Sequence, residues 1–270
     1  MAVLRVGTQG WNYPAWVGPF YPAGTRAADM LGLYARAFPT VEIDSTFYAP
    51  PAEPVVRAWA ARVPADFVFA LKVPQEITHE RRLVDVRESL DRFVSRARLL
   101  EDRLGPLLIQ MPPDWPPSAD TRAVLADFLA QLATDLRWAI EFRDPRWLDD
   151  ATLGLLRTHR TSLALVEGRW VKRERMLALA AEPTADFAYV RWMGPDRALS
   201  DYSHVQVRRE RELALWGDAV DALRSRVREV FGYFNNHFQG HSPESARTMQ
   251  TRLGLPVVDP VSLRQQGELF

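Results

Sequence analysis

Val41-Glu42-Ile43-Asp44-Ser45-Thr46-Phe47-Tyr48 reads as a β-strand running directly into a loop. Strand side chains alternate between faces, so Val41, Ile43 and Ser45 share one face while Glu42, Asp44 and Thr46 share the other. Two carboxylates on one face of an apolar-flanked strand are costly if that face is buried and unpaired. They fit a face that looks into a polar cavity, or one locked in a structural ion-pair network; both displace carboxylate proton affinities.

Outward from that strand, the chain alternates strand and helix. Strands are expected at Leu4–Thr8, Val41–Thr46, Phe67–Val73, Leu107–Met111, Arg137–Arg143, Ser162–Val166, Phe187–Trp192 and Phe231–Asn235. Helices are expected at Met30–Phe38, from Pro54, and at Asp85–Leu104, Ser118–Leu132, Ala151–His159, Lys172–Ala180, Arg208–Val227 and Pro243–Leu253, the last with Ser242 as N-cap. Strict alternation implies parallel strands joined by right-handed crossovers. Eight such units in 270 residues have the size of an α/β single-domain (β/α)8 TIM barrel. A doubly wound sheet is the competing fold, but no Gly-x-Gly-x-x-Gly or Walker-type loop follows a strand, and no linker divides residues 1–270.

Lys+Arg and Asp+Glu balance at 34 each, so no global basic field points to nucleic acid. Only Lys72 and Lys172 are lysines; arginine supplies every other cation. The absence of cysteine removes thiol nucleophiles and thiolate metal sites. No signal peptide and no window of 18 uncharged apolar residues is read, which leads to the expectation of a cytoplasmic protein without a membrane partner.

In a barrel of this kind, function gathers where the strands end. Those ends are polar here: Thr8, Gln9 and Trp11; Glu42, Asp44 and Thr46, then Phe47 and Tyr48; Lys72; Gln110; Glu141 and Arg143; Glu167; Arg191; and Asn235, Asn236 and His237. Strand middles such as Leu107-Leu108-Ile109 are apolar. Glu42, Asp44, Lys72, Glu141 and His237 are the candidate catalytic residues. Thr8, Trp11, Thr46, Tyr48, Gln110, Arg143, Arg191, Asn235 and Asn236 are the candidate ligand contacts. Lys72 suits either a Schiff-base amine or an anion ligand, with an ion pair to Glu42 or Asp44 as the structural alternative. His79, His159 and His204 read as surface residues. His237 and His241 have i, i+4 spacing, but Gly240 and Pro243 interrupt a helix there, so no metal site is assigned. Trp11, Tyr13, Trp16, Phe20 and Tyr21 read as a lid, a stacking platform or a satellite hydrophobic cluster.

The same residues carry a resemblance. Gly7-Thr8-Gln9-Gly10-Trp11 with Trp16 and Phe20-Tyr21-Pro22, Val41 to Tyr48, Phe69-Ala70-Leu71-Lys72-Val73-Pro74, Gln110-Met111-Pro112-Pro113, Glu141-Phe142-Arg143 with Trp147, and Tyr233-Phe234-Asn235-Asn236-His237 resemble the YecE-like family, domain of unknown function 72. The resemblance covers nearly the whole chain and implies a (β/α)8 barrel. It places Glu42, Asp44, Thr46, Lys72, Gln110, Glu141, Arg143, Arg191 and Asn235 in the central cavity, and it implies no established reaction or cofactor. The chain departs from the pattern at Met193, where a His is expected, and at Glu167-Gly168, where an Asp is usual.

Three functions follow. The first is binding or acid/base transformation of a small anionic ligand, phosphorylated or sugar-like, held by Lys72, Arg143 and Arg191, with Glu42 or Glu141 transferring protons. Glycoside hydrolysis by paired carboxylates is its special case. The second, less favoured, is a metal-dependent nuclease-like or nucleic-acid-binding barrel with Mg²⁺ or Mn²⁺ on Glu42, Asp44 and Glu141. The third is a non-catalytic binding or partner protein using the same cavity.

Overall fold

A parallel barrel needs each strand to find its successor alongside, and the hydrogen bonding meets that demand in strict sequence order. In the computed structural model, which describes residues 2–195 and 198–265, eight strands close into a barrel, each parallel to the next and the eighth pairing with the first. They are β1 (Val3–Gln9), β2 (Thr40–Ile43), β3 (Val68–Lys72), β4 (Leu104–Gln110), β5 (Trp138–Glu141), β6 (Ser162–Gly168), β7 (Phe187–Gly194) and β8 (Glu229–Phe234). The helices α1 (Ala27–Ala37), α2 (Glu53–Ala61), α3 (Arg87–Ala97), α4 (Ala119–Ala130), α5 (Asp150–Thr158), α6 (Arg173–Leu179), α7 (Glu210–Leu223) and α8 (Ser242–Arg252) follow strands one to eight, and a short α9 (Pro260–Gln265) comes last.

Local chemistry starts these helices where they start. Ser118 and Thr121 form a reciprocal capping box on α4, and the Asp149 carboxylate accepts from the Thr152 amide to open α5. Pro54 and Pro243 stand in the first turns of α2 and α8, where a missing N–H costs nothing. α1 turns Met30, Leu31, Tyr34 and Ala35 onto the barrel. Tyr34 does more than pack: its hydroxyl accepts from the Thr8 amide at 2.9 Å and donates to the Thr40 carbonyl at 2.9 Å, clamping β1 to β2. Gly7 makes that clamp fit, because a Cβ there would stand 2.0 Å from the Thr40 oxygen.

Three local expectations are corrected. The strand expected over Val41–Thr46 stops at Ile43; Asp44 has helical backbone angles and Ser45–Phe47 forms a single 3-10 turn. The Thr46 hydroxyl explains it, lying 3.0 Å from the Ile43 carbonyl and 2.7 Å from the Lys72 carbonyl, a side-chain bond that competes with the ladder. The helix expected over Asp85–Leu104 is α3 followed by a 3-10 stretch, Arg98–Arg103, broken at Glu101 with φ 53°. Its start is delayed by a loop in which Arg82, Leu83 and Asp85 all have positive φ. Ser242 does not cap α8: His241 holds that position, and the Ser242 hydroxyl donates instead to Asn236 Oδ1 at 2.9 Å.

Among the described residues no helix is long and apolar enough to cross a membrane.

Candidate functional site

β2, β5 and β7 each turn a charged residue inward toward the C-terminal end of the barrel, and the two carboxylates meet on the one guanidinium. Arg191 of β7 donates from Nε and Nη2 to the Glu42 carboxylate at 2.9 and 2.7 Å, and from Nη1 to Glu141 at 2.5 Å. Its Nη2 also lies 3.5 Å from Asp44. Arg191, Glu42 and Glu141 are all buried; Asp44, freed from the strand by the turn at Ser45, keeps 37% of its side chain exposed. The Tyr189 hydroxyl donates to Glu42 at 2.6 Å, and Gln110 Nε2 donates to Glu141 at 2.8 Å. Arg143 adds a weaker contact to Glu141 at 3.3 Å.

The two carboxylates are pushed apart although they share Arg191. Burial raises the Glu42 carboxyl to about 7, against the pull of Arg191 and with Asp44 adding a like charge. Burial also acts on Glu141, but Arg191, Arg143 and Lys72 outweigh it and hold that carboxyl below its ordinary value. The difference lies in the neighbours: Glu42 faces another carboxylate, Glu141 faces extra cations. Divergence of this kind is what separates a proton donor from an ionised partner.

Lys72 ends β3 almost buried, with Nζ 3.7 Å from the centre of the Phe47 ring. Burial lowers its ammonium to about 8; among the surrounding charges Asp44 opposes that most strongly. His79 also packs edge-on against Phe47, its ring 4.9 Å away, with its Nδ1 2.9 Å from the Thr78 hydroxyl. Burial, then the charges of Arg143 and Lys72, lower the His79 imidazole to about 4, so it is neutral at pH 7. His79 is thus half-buried beside the site and not the surface residue its sequence position suggests.

The other candidates divide into two groups. Asn235 stands at the end of β8 with its amide donating to Gln9 Oε1 at 2.7 Å, while Gln9 Nε2 meets the Met193 sulfur at 2.8 Å. The Asn235 oxygen accepts from the His237 amide, and His237 Nε2 lies 3.2 Å from the Tyr202 hydroxyl. Thr8, Thr46 and Asn236 turn away from the centre. Thr8 is tied to Tyr34 and the Gly10 carbonyl, Thr46 to backbone carbonyls, and Asn236 Oδ1 gathers the Trp16 indole, the Ser242 amide and the Ser242 hydroxyl. Trp11 packs edge-on against Trp59, and Tyr48 is 73% exposed. Glu167 points outward, bound by Arg173 at 2.7 Å and the Trp216 indole at 2.6 Å. Trp16, Phe20 and Tyr21 are fully buried and form a hydrophobic cluster under the loop after β1.

Sequence reasoning missed Tyr189 and His79 as members of the site, and Tyr202 as the partner of His237. Tyr189 was accessible to it: two residues before Arg191 on one strand, it must share the inward face. His79 lies on a short π-helical turn, Glu76–Glu80, and Tyr202 on a loop, and neither carries a readable periodicity.

Glu141, Arg143, Arg169, Trp170, Met193 and His237 border a cleft of about 70 Å³ at the strands' C-terminal ends. Arg169 lies over the Trp170 ring at 4.4 Å. A larger cavity, about 800 Å³, opens at the opposite end among Arg5, Phe38, Phe67, Gln250 and Leu263 and contains none of the candidate residues. Barrel chemistry gathers at the C-terminal ends, so the smaller cleft is the relevant one. Among the described residues no group of three or more His, Asp or Glu side chains is arranged to hold a metal ion.

Comparison with known proteins agrees with this architecture. The family described as protein of unknown function DUF72 matches residues 5–267. The UPF0759 protein YunF of Bacillus subtilis is 24% identical over 267 residues, covering 92% of this chain and 93% of YunF. The UPF0759 protein YecE of Escherichia coli K12 is 29% identical over 145 residues, 54% of this chain, and the match spans only 50% of YecE. A crystal structure of a DUF72 family protein from Thermotoga maritima superposes with a TM-score of 0.80 at 25% identity, covering 93% of this chain and 99% of that one. A second, from Enterococcus faecalis, gives 0.75 at 23% identity over 95% and 99%. With a family match across almost its whole length and the same barrel in solved relatives, the chain belongs to the DUF72 family of YecE-like (β/α)8 barrel proteins, a family of unknown function.

Proposed function

We propose that this protein binds and transforms a small anionic ligand at the C-terminal face of the barrel by acid/base chemistry. The observation that carries the reading is two buried carboxylates, Glu42 and Glu141, bound to one buried arginine beside a lysine that lies over a ring face, with their proton affinities shifted in opposite directions. Arg191 spends its donors on Glu42, Glu141 and Asp44, so the ligand's charge is left to Arg143 and Arg169, which line the cleft, and to Lys72 at the end of β3. The cleft of about 70 Å³ has room for a group the size of a carboxylate or phosphate, not for a nucleotide. A sugar ring between Glu42 and Glu141, or a metal ion shared by them, would have to displace Arg191, which favours neither glycoside hydrolysis nor the metal-dependent nuclease.

The test is a thermal-shift titration with inorganic phosphate, 2-oxo acids, sugar phosphates and short abasic DNA. A ligand that binds only the folded state raises the midpoint with concentration. A small anion is expected to do so in the wild type and to have no effect on Lys72→Met, whose fold is checked by circular dichroism. A shift with DNA alone, or an unchanged response in Lys72→Met, overturns the reading.

A further inference from the structure

We infer that Arg143, Arg169 and Trp170 clamp the phosphate group of a phosphomonoester in the cleft at the C-terminal ends of β5, β6 and β7. This deepens the small-anion reading of the same site and rests on it.

The register of the sheet changes where this cleft forms. Glu167 of β6 pairs with Trp192 of β7, but the next pair is Gly168 with Gly194, so Met193 is an extra residue on β7. A bulge of this kind bends its strand and re-aims side chains, and bulges are over-represented next to functional sites. Met193 lines the cleft, and so do Gly168 and Gly194, whose lack of side chains leaves that wall open. β6 ends at Gly168, so Arg169 and Trp170 follow at once and line the cleft as well. Trp170 is 37% exposed, and an indole left at the mouth contributes little to the core.

Two guanidiniums meet on that indole. Arg169 lies 4.4 Å and Arg143 5.9 Å from the centre of the Trp170 ring. A ring face attracts a guanidinium without neutralising it, so both charges persist. The cleft holds only about 70 Å³, so a single group that fills it meets both of them. Glu141 is the one carboxylate among its lining residues, and it is engaged with Arg191, Gln110 and the Nε of Arg143. Among the described residues Arg169 has no carboxylate partner; its contact is the ring of Trp170. Two cations therefore face a space whose one acid is already matched to other donors. A carboxylate would bring one negative charge and two oxygens. A phosphomonoester brings a charge of about −1.5 to −2 at pH 7 and three acceptor oxygens, enough for two forked donors at once. Glu141 is buried while Arg169 and Trp170 are exposed, so the acid lies at the floor and the clamp at the mouth. That order holds the phosphate away from the carboxylate below it.

The test is a thermal-shift titration of the full chain at pH 7 with methyl phosphate, dimethyl phosphate and acetate. These are a monoester that reaches the dianion, a diester held at one charge, and a carboxylate. Methyl phosphate is expected to raise the midpoint and to bind at least about tenfold tighter than either of the others, the worth of one charge-assisted hydrogen bond. Arg169→Met, its fold checked by circular dichroism, is expected to lose about that factor. Methyl phosphate is also expected to change the emission of Trp170, read as the difference between the wild type and Trp170→Phe, which locates the binding. Equal binding of methyl and dimethyl phosphate, wild-type binding of methyl phosphate by Arg169→Met, or an unchanged Trp170 emission overturns the clamp. Acetate raising the midpoint where methyl phosphate does not overturns the clamp alone and leaves the small-anion reading standing. Silence with all three and with pyruvate overturns both.

Discussion

Arg191 and Glu42 meet through two hydrogen bonds, 2.9 and 2.7 Å, in a place where neither side chain is more than 1% exposed. A forked pair that far from water is held by geometry on both sides: β7 delivers the guanidinium, β2 the carboxylate, and Tyr189 fills the remaining approach to Glu42.

Arg191→Met therefore acts on stability first. It strands Glu42 in the interior without a paired cation and leaves Glu141 only the weaker contact to Arg143, and breaking a buried pair from one side costs about 3–5 kcal/mol. Urea denaturation is expected to show that loss, and the double variant Arg191→Met/Glu42→Gln is expected to regain part of it. A variant as stable as the wild type would show that the charges are not coupled.

The stability of a His79→Gln variant is expected to have a trough near neutrality; in the wild type His79, lowered from 6.5 to about 4, contributes an opposing rise over nearly the same window. Glu42 is raised in the folded protein from 4.5 to about 7, so the folded state binds more protons than the unfolded one across that window, and stability falls as pH rises through it. Lys72 is lowered from 10.5 to about 8, so the unfolded state binds more protons there and stability rises with pH from about 8 to 10.5. Each tenfold change in proton affinity is worth about 1.4 kcal/mol. Denaturation midpoints of that variant measured from pH 5 to 10 check the shape; adding Glu42→Gln is expected to erase the falling limb and adding Lys72→Met the rising one.

Tyr189→Phe removes the hydroxyl that donates to Glu42. That bond favours the charged carboxylate, so its loss is expected to raise Glu42 further and to move the falling limb to higher pH. A hydrogen bond to a charged group contributes about 1.5–3 kcal/mol, which sets the expected loss of stability at pH 8. An unmoved limb would mean that Tyr189 does not control the proton on Glu42.

Asn236→Ala separates scaffold from site. Asn236 Oδ1 accepts from the Trp16 indole, the Ser242 amide and the Ser242 hydroxyl, and those buried donors lose their partner together. A cost of about 1–3 kcal/mol is expected, with the ligand-induced thermal shift unchanged. Loss of the ligand response at full stability would instead place Asn236 in the site.

The barrel was legible because apolar strands and amphipathic helices alternate eight times, a pattern that survives errors of a few residues at each boundary. The inward-facing charges were legible for the same reason: Glu42, Glu141 and Arg191 lie within regular strands, where alternation assigns a face. Thr8, Thr46 and Asn236 were also polar residues near strand ends, and nothing local distinguishes a hydroxyl aimed at a ligand from one aimed at a carbonyl. That Arg191 is committed to Glu42 and Glu141 could not be read either, since the pairing spans 149 and 50 residues of sequence. His79 was misread because a histidine after Pro74 carries no period, and its place beside Phe47 depends on a π-helical turn, Glu76–Glu80.

The strand that stops at Ile43 divides the labour of two acidic residues. Had the pleat run on to Thr46, Asp44 would face the barrel interior two residues beyond Glu42, and the mouth would hold two buried acids with matched surroundings. Ending it early leaves one acid buried against Arg191 and the other 37% exposed, touching the same guanidinium only at 3.5 Å. A single hydroxyl, that of Thr46, sets this difference by holding the turn. Thr46→Val is thus a change in the reach of a neighbouring side chain, made without touching that side chain at all.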